Sequence, residues 1–589
     1  MMRQFNPARL RRRAARGLWL APALVFLLVA LGTQDGSSYF LHFDTPTQDA
    51  AAIDLLRGCW GYSGHKPVIM LLLAVPFALG GISPLWETAL LAVLGAVSVA
   101  ATFQIASHLL GSRRWALLAA LWLVSLPSFL YFSRIHVMYP LAFFLLAVWL
   151  QLEEHPGWAG LMFGLSLLAH ANFMVPIAAW LGFSVLLDSG FRNLRSAGRL
   201  AVSFLLTYAA VAFVRYLFTG EVLGWTRYIL FDEVLRQAGS TFDTRWTHVV
   251  ELIAFTNGWP NAIFLLLSIL YLAVRRPRVP AADVAFATAW SMLLFFSYRA
   301  AADQALIPRM WVTVYPLAGI VSLFTLQRIT GALQGRLPGD ARRLASGVIA
   351  LAVAAALIPS AVEAAAYSRT RYPVVARAME QAAQAGLPVR YFGNFNVANF
   401  YAAAHHTEAV INEPALDVIT GDTRAVLVFE IRGEEAPATL AGLCRLGWDR
   451  AGAYTVTRYE GHLPASRHDR AEVFYLTSAD LEALRGQTFA PAPSASTGAV
   501  EVWWPRRPAG EFTVTSDPAR YIYYYPGDGC LATPPYAQDT KWWYEIILEK
   551  LASFAAPRWG APPRTTRTGA GSPPARPILC GRSRHVNDT

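Results

Sequence analysis

The sequence predicts a polytopic α-helical membrane protein with a C-terminal extracytoplasmic α/β domain, and three observations support this class. Apolar windows of about 20 residues, the length that a spanning helix needs, recur from Gly17 to Glu363. The mean hydropathy of +0.35 and the charged fraction of 15% indicate a partly membrane-embedded chain, and 589 residues are too many for one domain. After Glu363 the apolar runs shorten to strand length, which is typical of a soluble domain.

The apolar windows predict about eleven spanning helices. They lie at 17–33, 86–108, 115–132, 137–152, 157–170, 173–187, 200–218, 257–274, 281–298, 310–327 and 345–363. The first window resembles a signal peptide but lacks a small-residue cleavage site after it, so we interpret it as an uncleaved helix. The run from Val68 to Leu79 is predicted to be a juxtamembrane or re-entrant helix, because a full span there would break the charge pattern of the loops.

The orientation follows from the loops in which arginine collects, because cytoplasmic loops carry an excess of basic residues. Under the predicted layout five basic segments fall on one side: Arg11–Arg13, Arg113–Arg114, 192–199, 275–278 and 328–343. That side is therefore predicted to be cytoplasmic. The expected location is the inner (plasma) membrane, with the N-terminus in the cytoplasm and the C-terminal domain in the periplasm or outside the cell.

Three regions are expected along the chain: a membrane domain at 1–363, a soluble α/β domain at 364–553 and a disordered tail at 554–589. In the soluble domain, "PVRYFG" and "AVLVFEI" are predicted strands, while "YPVVARAMEQAAQAG" and "NVANFYAAA" have helical patterns. The tail is rich in Pro, Arg, Gly and Ser, a composition that cannot bury a core.

Charge and cysteine usage exclude two other classes of function. The net charge of +11 could suggest nucleic-acid binding, but the arginines lie between apolar segments, where they orient helices, so no nucleic-acid partner is expected. The four cysteines have neither CxxC nor Cys/His spacing, so the sequence supports no zinc site and no redox motif.

The first outer loop holds the strongest candidates for chemistry. Asp49 is predicted to begin a short amphipathic helix with Ile53 and Leu56 on one face, where a carboxylate just outside the membrane could meet a lipid headgroup. The alternative for Asp49 is an acid favoured by the helix dipole. Lys66, in "GHKPVIM", is the only lysine of the membrane half; it either binds phosphate or extends to the membrane boundary as an anchor.

The order of these motifs resembles the GT-C glycosyltransferases, in particular the family 39 group of protein mannosyltransferases and aminoarabinose transferases. An acid, the helix "AAIDLLRG", then "GHKP" and an apolar stretch ending in "GG" are similar to that family's first outer loop. Further similar segments follow in order over residues 17–330: "LLAALWLVSLPSFLYFSRIHVMYPLAFFLLAVWLQL", "GLMFGLSLLAHANFMVPIAAWL" and "IPRMWVTVYPLAGIVSLF".

The resemblance implies a GT-C-like membrane domain that transfers a monosaccharide from a polyprenyl-phosphate-linked donor, with inversion, to a glycan, lipid or protein acceptor. Membrane lipids are the other expected partners. No cofactor is implied, since the lipid-linked sugar is a substrate, and a divalent metal is not expected. Members often carry a second acid where this chain has Ala50, and Val68 stands where a second proline is usual.

The roles of the acids and cations follow from the chemistry of this transfer. An attacking hydroxyl needs a base, for which Asp49 is the candidate and Asp44 the alternative. The departing lipid phosphate gains negative charge, which nearby cations stabilise. The candidates for that role are Lys66, His65, Arg309 and Arg299. An Arg299–Asp303 surface pair with Arg309 as a membrane anchor is the structural alternative.

Four more residues are predicted to contact substrate from outer turns and loops. Arg134 and His136 lie in "YFSRIHVMYP", although a lone histidine is more often a structural hydrogen-bonding residue. His170 and Asn172, on the next outer turn, are interpreted as structural. Arg227 and Tyr228 lie in the loop after the seventh predicted span.

Two other functions fit parts of the pattern. A transporter or flippase for a lipid-linked sugar would use outer-loop charges as gates, but it should also show charges within its spans and related halves. A non-catalytic glycan-binding protein would need far fewer spans as an anchor. Neither class explains the crowding of candidate residues on one face.

Overall fold

The computed structural model describes most of the membrane half and the strands of a C-terminal sheet. The described residues are 20–33, 44–58, 60, 66–187, 194–220, 257–276, 278–300, 311–336, 389–392, 409–411, 425–431, 449–454, 456–457, 468–476 and 500–504. The chain forms two compact units. The first contains residues 1–41, 65–370 and 459–464, and the second contains 42–64, 371–458 and 465–589.

The first unit is helical throughout its described residues. Its helices are α1 (Leu20–Thr33), α3 (Pro67–Gly80), α4 (Pro84–Leu110), α5 (Arg113–Ser125), α6 (Pro127–Phe132), α7 (Met138–Leu152), α8 (Pro156–Ala169), α9 (Met174–Leu187), α10 (Leu194–Thr219), α11 (Trp259–Leu266), α12 (Tyr271–Val274), α13 (Pro280–Ala300) and α14 (Tyr315–Arg336). Short 3₁₀ turns follow α8, at Ala171–Phe173, and α11, at Leu267–Leu270. Helix α2 (Asp44–Leu56) belongs to the second unit.

Helices occupy every predicted span except 345–363, which lies outside the described residues. The juxtamembrane prediction for 68–79 corresponds to the separate helix α3. Two described helices, Leu85–Leu110 and Leu194–Thr219, are long and apolar enough to cross a membrane, while the other apolar helices are shorter. Breaks at Leu126 and at the two 3₁₀ turns interrupt the apolar windows. The number of spans therefore stays a prediction.

Tight turns set the direction of the central helices of the first unit. Gly111, with φ of 60°, and Ser112 join α4 to α5; residues 133–137 join α6 to α7; residues 153–155 join α7 to α8. Such short connections make neighbouring helices antiparallel. Helix α4 packs against α5 and α7, and α8 packs against α7 and α10. The starts of α4 and α7 and the end of α8 thus lie together, at what we name the His136 end of the bundle. The opposite end is named the Arg113 end.

Glycines permit a close contact between α8 and α10. Gly160 and Gly164 form a G-x-x-x-G pattern on α8. A Cβ at Gly160 would overlap with the Leu200 carbonyl group, and one at Gly164 would come within 2.8 Å of the Thr207 side chain. Small residues with this spacing let two membrane helices approach closely. The contact with α10 therefore holds α8 at a fixed depth in the bundle.

The second unit contains a mixed seven-stranded sheet. Its strands are β1 (Val389–Phe392), β2 (Ala409–Ile411), β3 (Ala425–Ile431), β4 (Asp449–Tyr454), β5 (Val456–Thr457), β6 (His468–Leu476) and β7 (Val500–Trp504). The order is β2-β1-β3-β6-β7-β4, with β5 paired to β6. Strands β1, β2 and β3 are parallel, whereas β6 is antiparallel to β3.

The strands β1 and β3 confirm the two strands predicted from "PVRYFG" and "AVLVFEI". The parallel β1–β3 pair aligns Val389 with Val426 and Phe392 with Phe429. A parallel pair requires a long crossover connection, which is usually helical. The predicted helices at the start of this domain lie outside the described residues, as does the tail at 554–589, so those predictions and the boundaries at 363 and 553 stay predictions.

Candidate functional site

Buried ionisable side chains gather at the His136 end of the first unit. Glu87, in the first turn of α4, has none of its surface exposed, and Arg134 and His136, on the turn before α7, are 4% and 1% exposed. His170, at the end of α8, is 7% exposed. Charged groups are almost never fully buried unless they are paired. This end of the bundle is therefore the candidate site.

Backbone hydrogen bonds hold the turn that carries Arg134 and His136. The amide of Ser133 donates to Phe129 O at 2.8 Å, and the amide of Tyr139 donates to His136 O at 3.2 Å. Ile135 and Val137, which follow Arg134 and His136 respectively, are each 1% exposed. The turn is thus packed into the unit on all sides, and its two polar side chains have fixed positions.

His170 ends one helix and begins the next 3₁₀ turn. Its amide donates to Ser166 O at 3.2 Å, and its Nδ1 accepts a hydrogen bond from the Asn172 amide at 3.3 Å. The side chain thus caps the 3₁₀ turn, which agrees with the structural interpretation of His170. The imidazole ring also stacks on that of His136, with ring centroids 5.7 Å apart and an interplanar angle of 10°. The structure thereby brings together a predicted substrate residue and one interpreted as structural.

Lys66 caps the start of α3 through its backbone. Its carbonyl oxygen accepts from the Ile69 amide at 3.1 Å, and Pro67, which has no amide hydrogen, takes the first helical position. Helix α3 packs against α4 and α8. The side chain is only 5% exposed, which disagrees with a purely boundary-seeking anchor.

Asp49 lies in the second turn of α2, because that helix begins at Asp44. The prediction that Asp49 begins the helix was therefore wrong, and so was the shared apolar face: Ile53 is 1% exposed but Leu56 is 43% exposed. The helix dipole acts mainly on the first turn, so the dipole interpretation of Asp49 is weakened. Asp49 itself has no exposed surface, and neither has Asp54.

The remaining predicted site residues are outside the described side chains. His65, Arg227, Tyr228 and Arg309 lie outside the described residues. Arg299 belongs to α13, next to the helix end at Ala300, but its side chain is not among those described. The side chain of Asp44 is likewise outside the description. Their roles stay predictions.

Sequence reasoning missed the buried acid Glu87 and the partner ring His170. Glu87 follows Ser83, whose hydroxyl accepts from the Leu85 amide at 3.3 Å, so the sequence gives only an ordinary helix start. His170 ends an apolar window, which signals a helix end and nothing more. Burial and stacking both depend on neighbours distant along the chain, and a local pattern carries no signal for them.

A polar network joins four helices near the same end. Ser128 Oγ donates to Asn257 Oδ1, and Asn257 Nδ2 donates to the Tyr315 hydroxyl oxygen at 2.8 Å. Asn261 Nδ2 donates to Asn257 O at 2.6 Å, and Trp122 Nε1 donates to Asn261 Oδ1 at 3.0 Å. These bonds join α5, α6, α11 and α14, and they place Tyr315 of the "IPRMWVTVYPLAGIVSLF" segment.

A small apolar cleft lies between α11, α13 and α14. It is lined by Ala262, Leu265, Leu266, Ser268, Ala289, Trp290, Leu293, Val314, Tyr315 and Ala318. Ser268 donates its hydroxyl to Leu265 O at 2.6 Å, so the lining offers chiefly hydrocarbon. Within the described ranges, no group of three or more His, Cys, Asp and Glu residues is arranged to hold a metal ion.

Comparison with known proteins gives a structural match only. No protein-family model matches the chain, and no curated protein sequence matches it. The fold is similar to the crystal structure of ArnT from Cupriavidus metallidurans bound to undecaprenyl phosphate, with a TM-score of 0.52 and 15% identity. The match covers 77% of this chain and 97% of that one. The match supports the predicted, mostly helical fold, while membership of the GT-C superfamily and of family 39 stays a proposal.

Proposed function

We propose that this protein is a membrane glycosyltransferase that transfers a monosaccharide from a polyprenyl-phosphate-linked donor to an extracytoplasmic acceptor. The observation that carries the proposal is the burial of Glu87, Arg134, His136 and His170 at one end of a bundle with the ArnT fold. ArnT was crystallised with undecaprenyl phosphate, and a lipid phosphate is a ligand that buried cations would bind. Family 39 is the proposed family.

The proposed reaction is a single displacement with inversion at the anomeric carbon. A hydroxyl of the acceptor attacks that carbon, a new C–O bond forms, and the bond from the sugar to the lipid phosphate breaks. The acceptor proton passes to a carboxylate, and the polyprenyl phosphate leaves with the bonding electrons. Asp49 is the proposed base because its side chain is fully buried and because it lies beyond the first turn of α2. Asp44 is the alternative.

Cations of the first unit would bind the departing phosphate. Lys66 is the first candidate, since it is 5% exposed and begins a helix that packs on α8. The leaving phosphate is more negative in the transition state than in the bound donor, so nearby cations stabilise the transition state more. This difference accelerates the reaction. His65, Arg299 and Arg309 are proposed for the same role from the sequence.

The lipid-linked donor and the acceptor would be held by further substrate-binding side chains near that phosphate. Arg134 and His136 are proposed for this role because both are buried on one rigid turn. Arg227 and Tyr228 are proposed from the sequence. The acceptor is a glycan, a lipid or a protein, and the reaction on the outer side requires the predicted orientation in the inner membrane.

A test begins with the lipid-linked sugars of cells that have or lack the protein, measured by mass spectrometry. The donor should accumulate in cells without it, and the matching surface glycan should be lost. The purified protein in liposomes should then release polyprenyl phosphate from that donor only when the acceptor is present. Movement of the intact lipid-linked sugar across the bilayer without release would instead identify a flippase and reject the transferase.

A further inference from the structure

We propose that His136 and His170 form a donor-phosphate subsite in which His136 takes up one proton as the phosphate binds and His170 is the positioning residue. The inference rests on the proposed function for the identity of the phosphate, which is that of the polyprenyl lipid. His170, which the sequence indicated only as a structural residue, thereby gains a role in binding the donor. It also makes binding of the donor dependent on protonation of the site.

The imidazole rings of His136 and His170 lie close together in the interior of the unit. The imidazoles are nearly parallel, 10° apart in orientation, with centroids separated by 5.7 Å. His136 is 1% exposed and His170 is 7% exposed. Two imidazolium ions at this separation and burial would repel each other strongly, so the pair holds at most one positive charge.

A hydrogen bond determines which ring takes the proton. His170 Nδ1 accepts from the Asn172 amide at 3.3 Å, so the ring is neutral and carries its hydrogen on Nε2. A proton on Nδ1 would occupy the lone pair that accepts this bond, and the Asn172 amide would lose its hydrogen-bond partner. The proton of the pair therefore belongs to His136, and the neutral His170 ring presents its face to the charged one.

Contacts of α8 with α7 and α10 keep the rings together. One turn below the pair, Ser166 Oγ donates to Pro140 O at 2.8 Å and joins α8 directly to α7. The G-x-x-x-G contact of α8 with α10 supports the same helix from behind. The His170 ring cannot turn away without losing its cap, and close packing restricts the His136 ring, which is 1% exposed, so the pair is preorganised.

Charged side chains lie around the pair, on the elements that pack against it. Arg134 lies on the same turn as His136, and Arg215 lies toward the same end of α10; Lys66 is the cation of α3, which packs against α8. The acid among these elements is Glu87 on α4, and the phenols are Tyr139 on α7 and Tyr208 on α10. Helix α9 and the 3₁₀ turn bring no charged side chain. A phosphate that arrives among such cations favours protonation of a nearby imidazole.

Two substitutions of His170 separate its cap from its ring. His170→Asn keeps a side-chain oxygen that can cap the turn but removes the stacked ring. His170→Phe keeps a flat ring but removes the Nδ1 acceptor. If His170 positions His136 by stacking, the Phe variant retains proton uptake and the Asn variant loses it. A purely structural cap predicts the reverse.

The experiment is calorimetric titration of the purified full chain with undecaprenyl phosphate in buffers of different ionisation enthalpy. The dependence of heat on buffer gives the protons taken up, and we expect about one for the parent. His136→Gln should abolish this uptake and weaken binding about 10-fold, the loss expected for one charge-assisted hydrogen bond. Thermal unfolding of each variant shows that it is folded. Inorganic phosphate serves as the second ligand.

Each outcome decides between the two proposals. If undecaprenyl phosphate does not bind the folded parent, the proposed function fails and the subsite with it. If it binds but His136→Gln takes up the same number of protons as the parent, only the histidine pair is overturned. Equal proton uptake by His170→Asn and the parent removes the positioning role. If inorganic phosphate binds with the same affinity and uptake, the site belongs to a free phosphate and not to the lipid donor.

Discussion

The two ends of the helical bundle carry similar residues in opposite surroundings. At the Arg113 end, six ionisable residues on the connections of the central helices are all exposed: His108, Arg113, Arg114, Glu153, Glu154 and His155. At the His136 end, Glu87, Arg134, His136 and His170 are all buried. An exposed charge costs almost nothing, whereas a buried charge is costly unless it has partners. Composition alone would treat the two ends as equal, and burial is what distinguishes them.

The difference between the ends agrees with a one-sided function. Exposed arginines at helix connections are what orients a membrane protein, and the Arg113 end has the basic residues expected on the cytoplasmic side. Buried ionisable groups in a membrane protein are expensive and tend to serve a site. We therefore expect the Arg113 end on the cytoplasmic side and the chemistry at the His136 end, and each expectation can be tested separately.

The largest expected contrast is in the sidedness of the chain. A reporter that is active only outside the cytoplasm should be active when fused after Ser368 and silent when fused within 331–337, because the basic loop at 328–343 stays inside. Activity is measured in intact cells, with the amount of each fusion measured by immunoblot as the control. The opposite pattern would reverse the two ends and every outer-site assignment.

Loss of the proposed base should have the next largest effect. Asp49→Asn keeps the size of the side chain but cannot accept the acceptor proton, so turnover should fall by about 100-fold or more while donor binding changes little. The measurement is sugar transfer from purified polyprenyl-phosphate donor in liposomes.

Asp44→Asn is the comparison for that variant, and it should retain most activity. A folded Asp49→Asn protein with full activity would remove Asp49 as the base. Loss of activity in Asp44→Asn alone would move the role to the first residue of α2.

A glycine pair tests whether the His136 end depends on the frame behind it. Gly160→Val places a side chain against the Leu200 carbonyl and should cost about 1–3 kcal/mol of stability, because overpacking forces α8 and α10 apart. Gly182→Val on α9 is the control, since a Cβ there meets nothing within 4 Å. Thermal unfolding in detergent measures both. Equal melting temperatures for the two variants would contradict the close contact.

Matched arginines at the two ends test the comparison directly. Arg134→Ala should weaken binding of undecaprenyl phosphate about 10-fold, because a charge-assisted contact to phosphate is lost from a buried position. Arg113→Ala, which removes an exposed arginine, should leave binding unchanged. Titration of the two folded variants with undecaprenyl phosphate makes the measurement. Equal losses would mean that the difference in burial has no functional meaning.

The smallest expected effect distinguishes charge from geometry at Lys66. Lys66→Ala should weaken donor binding more than Lys66→Arg does, because a phosphate requires a positive charge first and a particular shape second. The affinity of each variant for the polyprenyl-phosphate donor makes the comparison. Parent-like binding by both variants would leave Lys66 as a membrane anchor.

The sequence predicted the helical elements well and the site only in part. Apolar windows are local, so the expected span at 137–152 matches α7 closely and "AVLVFEI" matches β3. The start of α2 lies before the predicted one, at Asp44, and the helix contains Pro46 because a proline is well tolerated in the first turn. The stack of His136 on His170 joins the turn before α7 to the residue after α8, and no helical periodicity could predict it.

The central claim is that the His136 end binds the phosphate of a polyprenyl lipid. A photoreactive undecaprenyl phosphate, with its reactive group next to the phosphate, can be crosslinked to the purified protein and the labelled peptides identified by mass spectrometry. The account predicts labels at 133–139 and 170–173, reduced by excess undecaprenyl phosphate. Labels confined to 111–115 and 153–156, at the Arg113 end, would contradict it.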